Sequence, residues 1–490
     1  MRTVLLLASL LCLAPHGAAS NSTTLARALD AIEPDRIGID VEFLASDALG
    51  GRDTPSNGLQ VAARYIRTRL KQVGFEPGAP NGYFYEYPLQ YNRLDEERTL
   101  LSAKGASGSA VFEYGVDYYL SSTRSLYDAD VKGEVVFCGT GSEEELRGVT
   151  LEDRWALCLD SDLKWHLRYQ NVRGAGAIGL VVVPDSRREA EPFSERFRRV
   201  LAASRKGQVG WPSSTKKESE SSVTRLTTVF VDDADAVRLL RTAGVDASAH
   251  ALKAGTKLRL ELEETRRLEG DGGLIDVENV CGFWRGSDPE LSKEVILVSA
   301  HYDHLGTHDG VVFNGADDNG SGTAGLMALA EALAEYGPLR RSVQLIWVSG
   351  EEKGLFGSRA WAANPWLPEG CRAVADINID MIGRNDPENL LVTPTRSLED
   401  DFNGLTELAE KFAPLEGFHD LGSADNYWKR SDHYEFAKLG IPVTFFFANV
   451  HEDYHKDDDT ADKVNTDKIR RVIRMVLRML DAMQADELDL

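Results

Sequence analysis

The chain has 490 residues, 42% hydrophobic and 27% charged, with 55 Lys+Arg against 78 Asp+Glu. That length exceeds one ordinary compact core and predicts two domains. The formal charge of −23 argues against nucleic acid or an anionic membrane surface as partner, because such a chain repels phosphate.

The first 19 residues read as a cleavable secretory leader. Arg2 supplies the positive start, Val4 to Ala14 an apolar run, and Gly17-Ala18-Ala19 the small residues of a cleavage site. The run is too short to span a bilayer, and no later stretch is apolar for long enough, so a secreted or periplasmic protein with no transmembrane segment is expected. Cleavage leaves Cys138, Cys158, Cys281 and Cys371. Export permits disulfides, with Cys138–Cys158 the first pairing to test and buried free thiols the alternative. The absence of CxxC spacing argues against a thiolate zinc site.

Residues 24–75 read as helical: Leu59 to Leu70 repeats apolar residues at helical spacing, and Gly74 stops it. From 106 to 255 the texture is β-rich, with strand-like runs at 133–138, 155–159, 177–183 and 227–231 and helices over 167–173 and 233–243. The charged, serine-rich stretch 186–220 reads as a long surface loop. Further on, apolar strands at 295–300, 343–348, 375–379 and 443–447 alternate with helices. The last helix carries Ile469, Val472, Ile473, Val476, Leu480 and Met483 as its apolar stripe. This alternation predicts an α/β fold, a mixed and largely parallel sheet covered by helices on both faces.

The chemistry gathers where these strands end. His301 follows the strand ending at Ala300, Glu351-Glu352 follow Val348-Ser349-Gly350, Asp380 follows Ile379, and His455 comes shortly after 443–447. Asp318 lies in the glycine-rich turn Gly315-Ala316-Asp317-Asp318-Asn319-Gly320-Ser321-Gly322. In open α/β sheets, sites collect beyond the carboxyl ends of parallel strands. Alone, each has a bland reading: a hydrogen-bonded surface histidine, a solvated Glu-Glu pair, an Asp-Asp turn. Their joint occurrence at strand ends argues for two cations, with imidazole and carboxylate ligands suited to zinc. One carboxylate would bridge the pair and one glutamate would remain free to move protons. Asp303 is placed to accept the second N–H of His301. His304, His308, His419, His433 and His451 are left outside the site, and Asp457-Asp458-Asp459 is read as a solvated loop.

At these residues the chain resembles the co-catalytic zinc exopeptidases that include bacterial leucyl aminopeptidases and glutamate carboxypeptidase. The matching stretches are Ser299 to Gly306, Gly315 to Gly322, Ser349 to Ser358, Asn378 to Gly383 and Asp453 to His455, with Ser431-Asp432-His433 and the segment from Leu44 to Gly51 in support. The resemblance implies a zinc-exopeptidase fold built from 24–105 and 256–490. An inserted protease-associated (PA-like) domain would occupy 106–255. It also implies two Zn2+ per chain: His301 and Asp380 on one, Glu352 and His455 on the other, Asp318 bridging, and Asp317 structural. Glu351 becomes the general base toward the attacking water, Asp303 the outer partner of His301, and peptides the substrates.

An aminopeptidase is the expected activity, because no arginine cluster accompanies the motifs to grip a C-terminal carboxylate; Arg384 and Arg430 are the candidates for that task. A carboxypeptidase or dipeptidase, a non-catalytic receptor-like homologue and a single-zinc cyclase stay open as alternatives. The sequence does not set the oligomeric state.

Overall fold

A computed structural model describes residues 17–121, 128–212, 226–246, 249–269, 273–488 and 490. The expected leader therefore lies mostly outside the described residues. The chain packs as two compact units, one formed by residues 1–87 and 276–490, the other by 88–275. The sequence reading put these boundaries after 105 and 255. The difference comes from strands Leu100–Gly105 and Thr256–Arg266, which pair with each other and share the sheet of the second unit.

The site lies in the first unit. Its strands are β1 (Leu274–Trp284), β2 (Glu294–His301), β3 (Ser342–Val348), β4 (Arg372–Ile379), β5 (Leu390–Thr393), β6 (Leu421–Ser423) and β7 (Val443–Phe447). They lie in the order β6-β5-β7-β4-β2-β3-β1. The four central strands, β7, β4, β2 and β3, run parallel, while β1 joins antiparallel to β3 and β5 antiparallel to β7. Val343 to Val348 and Val295 to Ala300 are wholly buried, which explains their mostly apolar composition, with Gln344 and Ser299 as the polar exceptions. Helix α1 (Gly322–Tyr336) and helix α2 (Thr466–Ala482) cover one face of this sheet. Leu326, Leu329, Leu333, Ile469, Val472 and Ile473 pack there against Ile296, Val298 and Trp347. At roughly 25 cal/mol per Å2 of apolar surface, this burial is the main force holding the sheet to its helices.

In the second unit, strands Ala129–Phe137, Arg154–Leu159, Gly179–Val183 and Thr227–Val231 lie parallel and adjacent. Two apolar clusters pack around this sheet, one with Trp155 and Val229, the other with Cys138, Cys158 and Phe230. The stretch expected to be a loop over 186–220 contains helices Phe193–Arg196 and Arg198–Lys206; residues 213–220 lie outside the described set. Phe193, edge-on, and Phe197, tilted, pack against Phe230 and anchor the segment despite its polar composition. All four cysteines are free thiols. Cys138 and Cys158 come next after the paired Phe137 and Leu157 on neighbouring strands, and both are buried.

Candidate metal centre

The register of the parallel strands carries the site residues to one edge. His301, the last residue of β2, pairs with Val348 of β3; Glu351 and Glu352 follow immediately, and Asp380 follows Ile379 of β4. The strand ends turn sharply. Met381, next to Asp380, and His455 both adopt left-handed backbone (φ 52° and 57°), a conformation that costs energy for residues with a Cβ and is concentrated at functional sites.

Asp318 reaches the cluster from the turn before α1, and its neighbours hold that turn against β4. Asn319 donates to the carbonyl of Ile379 at 2.9 Å and accepts the amide of Gly322 at 2.8 Å and of Met381 at 3.2 Å. Asp317 accepts the amide of Gly383 at 2.6 Å, and Ser321 the amide of Ile382 at 3.0 Å. Asp317 thus faces the scaffold and Asp318 the cluster. Burial and the nearby Asp459 push the Asp317 carboxyl up to about 8.

Two sets of donors share Asp318. His301 Nε2 lies 3.2 Å from Asp380 Oδ1 and 3.4 Å from Asp318 Oδ1. His455 Nε2 lies 3.2 Å from Asp318 Oδ2 and 3.4 Å from Glu352 Oε2. Each Asp318 oxygen therefore faces a different imidazole. A zinc ion with ligands at about 2.0–2.1 Å in a tetrahedron separates its donor atoms by about 3.3 Å. All four distances fit that edge, so the residues present suit a zinc pair bridged by Asp318.

Burial would lower the basicity of His301 and His455, but the carboxylates around them win. His301 is raised well above the usual range, and His455 up to about 10. Asp318 is correspondingly held well below the ordinary carboxylate range, since its two imidazole contacts outweigh the opposing effect of burial. Glu351 goes the other way: burial, with Glu352, Asp432 and Asp380 nearby, drives it well up despite His301.

Asp303, expected to accept the second N–H of His301 through its carboxylate, meets the ring through its main-chain carbonyl. Its carboxylate is 3.8 Å from His301 Nδ1, and the ring nitrogen instead donates to the Asp303 main-chain carbonyl at 3.2 Å. The carboxylate accepts the amide of Glu351 and the hydroxyl of Thr54, each at 3.1 Å. Asp303 thus orients the Glu351 loop through its side chain and the His301 ring through its backbone.

Three further groups escaped the sequence reading. His304 is buried, with Nδ1 2.8 Å from Glu352 Oε1. Asp459, expected to be solvated, is wholly buried: its carboxylate accepts the amides of Asp317 and Asp318 at 3.1 Å, and its carbonyl the amide of Ala316. Arg52 is buried as well and donates to the carbonyls of Leu44, Tyr302, Asn314 and Gly315. Local sequence carries no signal for such contacts: Asp459 and, in most of its contacts, Arg52 meet backbone atoms more than 100 residues away, and His304 meets a side chain on another loop. Arg384, a candidate to bind a substrate carboxylate, is already engaged by Asp453 at 2.6 Å and lies 3.7 Å from Asp459. Arg430 is exposed.

Residues 279–480 match the model of Peptidase family M28. A probable leucine aminopeptidase of Arthroderma otae is 29% identical over 202 residues, 39% of this chain and 54% of its own. The aminopeptidase YwaD of Bacillus subtilis is 27% identical over 224 residues, 44% of this chain and 47% of its own. The chain thus spans about half the length of the curated relatives it matches. Two solved structures share the fold over nearly the whole chain. The aminopeptidase from Aneurinibacillus sp. strain AM-1 is 20% identical with a TM-score of 0.57, covering 95% of this chain and 97% of its own. A zinc aminopeptidase from Bacillus subtilis is 18% identical with a TM-score of 0.53, covering 93% and 96%.

Proposed function

We propose that the chain, whose residues 279–480 match the model of Peptidase family M28, is an exported zinc aminopeptidase that removes N-terminal residues from peptides. The observation that carries this reading is Asp318, each of whose oxygens faces a different imidazole at the donor spacing of a tetrahedral zinc site. His301 and Asp380 would hold one ion, Glu352 and His455 the other, with Asp318 shared. Two ions so held would polarise the scissile carbonyl and bring a water toward ionisation near neutral pH.

The protein's own contribution is positioning and proton transfer. Glu351, fixed by its amide on Asp303, takes the proton of the attacking water and returns it to the leaving amine. The partly or wholly buried Met381, Tyr427, Phe447 and Tyr454 stand close to Asp380 and His455 in sequence or space and favour an apolar side chain. The names of the relatives point the same way. The engagement of Arg384 by Asp453 supports action at a free amine over recognition of a terminal carboxylate. The unit over 88–275 we read as a PA-like insert.

Purified protein tests the proposal. About two zinc ions per chain are expected, with hydrolysis of leucyl amides and of C-terminally amidated peptides and none of N-terminally blocked peptides. Efficient cleavage of N-blocked peptides with free C-termini would replace it by a carboxypeptidase, and a zinc-free inactive protein by a binding homologue.

A further inference from the structure

We propose that His304 is a positioning residue for the second zinc site: it donates Nδ1–H to Glu352 Oε1 and thereby reserves Oε2 for the cation. The inference rests on the dinuclear reading above and goes beyond its ligand set.

Distance separates the two roles a histidine can play here. The imidazole–carboxylate spacings of the four expected ligand pairs are 3.2–3.4 Å, the edge of a zinc tetrahedron. His304 Nδ1 stands 2.8 Å from Glu352 Oε1, which is the length of a charge-assisted hydrogen bond and shorter than the donor edge of a zinc tetrahedron. It lies 3.9 Å from Asp318 Oδ2, too far to share that oxygen. Glu352 is thus divided: one oxygen meets His304, the other His455.

Proton placement follows. His304 Nδ1 lies at hydrogen-bond distance from Glu352 Oε1, and a carboxylate oxygen accepts. The proton must therefore sit on His304 Nδ1. Nε2 is buried and has no hydrogen-bond partner among the described residues, so the ring satisfies only the atom that faces Glu352. A ring that leaves one nitrogen unpaired in the interior carries a cost, which is consistent with a function for the other.

The ring is also clamped. Gly315 has φ 57°, and a Cβ there would lie 2.4 Å from the His304 ring and 2.2 Å from the carbonyl of Asp318. The glycine-rich turn that delivers the bridging aspartate therefore also presses on the histidine that orients Glu352. On the other side the His304 amide donates to the carbonyl of Arg52 at 3.2 Å.

Side-chain geometry supplies the test. The amide nitrogen of asparagine falls where Nδ1 of histidine lies, and that of glutamine where Nε2 lies. Metal-free wild type, His304→Ala, His304→Asn and His304→Gln are titrated with zinc against a chromophoric chelator, with metal content measured on the loaded proteins and kcat read separately from KM. Wild type is expected to bind two ions. His304→Ala should keep the tighter ion and weaken the second about 10- to 100-fold, the usual cost of removing an outer partner of a ligand. His304→Asn should recover most of the second affinity and His304→Gln should not. If the alanine variant fails to fold, the contrast between asparagine and glutamine decides alone. Two-site binding in His304→Ala equal to wild type would overturn the assignment. Equal loss in the asparagine and glutamine variants would overturn the donor role in favour of direct ligation. A wild type that takes up fewer than two ions would instead refute the dinuclear reading itself.

Discussion

Replacing Arg52 by methionine tests whether the acid-rich cluster depends on a single internal cation. The side chain is 1% exposed, and its guanidinium donates to Tyr302 O at 2.9 Å, Asn314 O at 2.7 Å, Gly315 O at 2.9 Å and to Leu44 O. It binds the end of the second helix (Pro34–Leu44) to the loop after β2 and to the turn that carries Asp318. Burial pulls its pKa down to about 10, against Asp303, Asp459, Asp318 and Glu352, so it stays charged at neutral pH. Methionine has similar length and no donor. Each carbonyl stranded in the interior costs about 1–3 kcal/mol, so four set an upper range of about 4–12 kcal/mol. Against this, the variant no longer desolvates a cation, which returns several kcal/mol. The net expectation is a loss of about 3–5 kcal/mol, the range for removing one partner from a buried charged group. That is a large part of the roughly 5–15 kcal/mol that holds a domain together. Arg52→Lys should recover less than half, since one ammonium cannot reach carbonyls on three segments. Urea unfolding in chelator isolates the effect from metal linkage. An Arg52→Met midpoint within about 1 kcal/mol of wild type, or a lysine variant equal to wild type, would refute the keystone role.

Four other outcomes follow from the same contacts. Glu351→Gln should retain both zinc ions and lose about 10²–10⁴ in kcat, the size of a general-base contribution; retained turnover would remove Glu351 from that role. Asp459→Asn turns an amide donor toward the backbone N–H groups of Asp317 and Asp318; a loss of about 1–3 kcal/mol in the apo protein is expected by thermal unfolding, together with weaker zinc binding. Asp376 is wholly buried, and its carboxyl is raised well above the usual range, chiefly by burial. The folded chain therefore keeps a proton that the unfolded chain releases above pH about 4, and stability falls as pH rises toward the folded pKa. Asp376→Asn, which keeps the acceptor for Ser299, should be more stable than wild type at pH about 7.5 and show a flatter pH profile; equal profiles would contradict this. Chelation should lower the melting temperature, and excess zinc at about 1,000 times Kd should restore about 4 kcal/mol; indifference to both would speak against a structural metal pair.

The central sheet was legible because β2, β3 and β7 are short, mostly apolar runs, and burial on both faces favours that composition. Most ligand candidates were legible because they lie at or beyond the ends of these strands: His301 ends β2, Asp380 follows β4, Glu351-Glu352 follow β3 and His455 comes after β7, while Asp318 lies in the turn before α1. The missed features share a different property, since none is written in local pattern. Thr256–Arg266 alternates buried and exposed residues like any two-faced strand, and only its pairing assigns it to the second unit. Asp459 sits in an acidic triplet that composition reads as solvated, yet three amides of the bridging turn fold onto it. Arg52 and His304 are polar residues near glycines, whose burial depends on how two loops meet.

The cluster also explains why these acids are tolerated where they are. Asp303, Asp317, Asp318, Glu351, Glu352, Asp380, Asp432 and Asp459 crowd one sheet edge, with Arg52 and Arg384 as nearby fixed cations. Like charges in a poorly solvated interior repel strongly, so the chain without metal must neutralise several of them. Burial raises Asp303 to about 6, Asp432 to about 7 and Asp317 to about 8, while Asp318 and Glu352 stay ionised against imidazoles. Asp318 and Glu352, held low by imidazoles, are carboxylates whose oxygens lie at zinc spacing, whereas the raised Asp303 and Asp317 face the Glu351 loop and the scaffold. A core selected for stability alone would replace such a set by apolar residues, often at a gain of about 1–4 kcal/mol for each buried ion pair or triad. Keeping it makes sense if binding two divalent cations supplies the missing positive charge, which is why metal affinity, more than fold stability, should respond first to changes at Glu352, Asp318 and their partners.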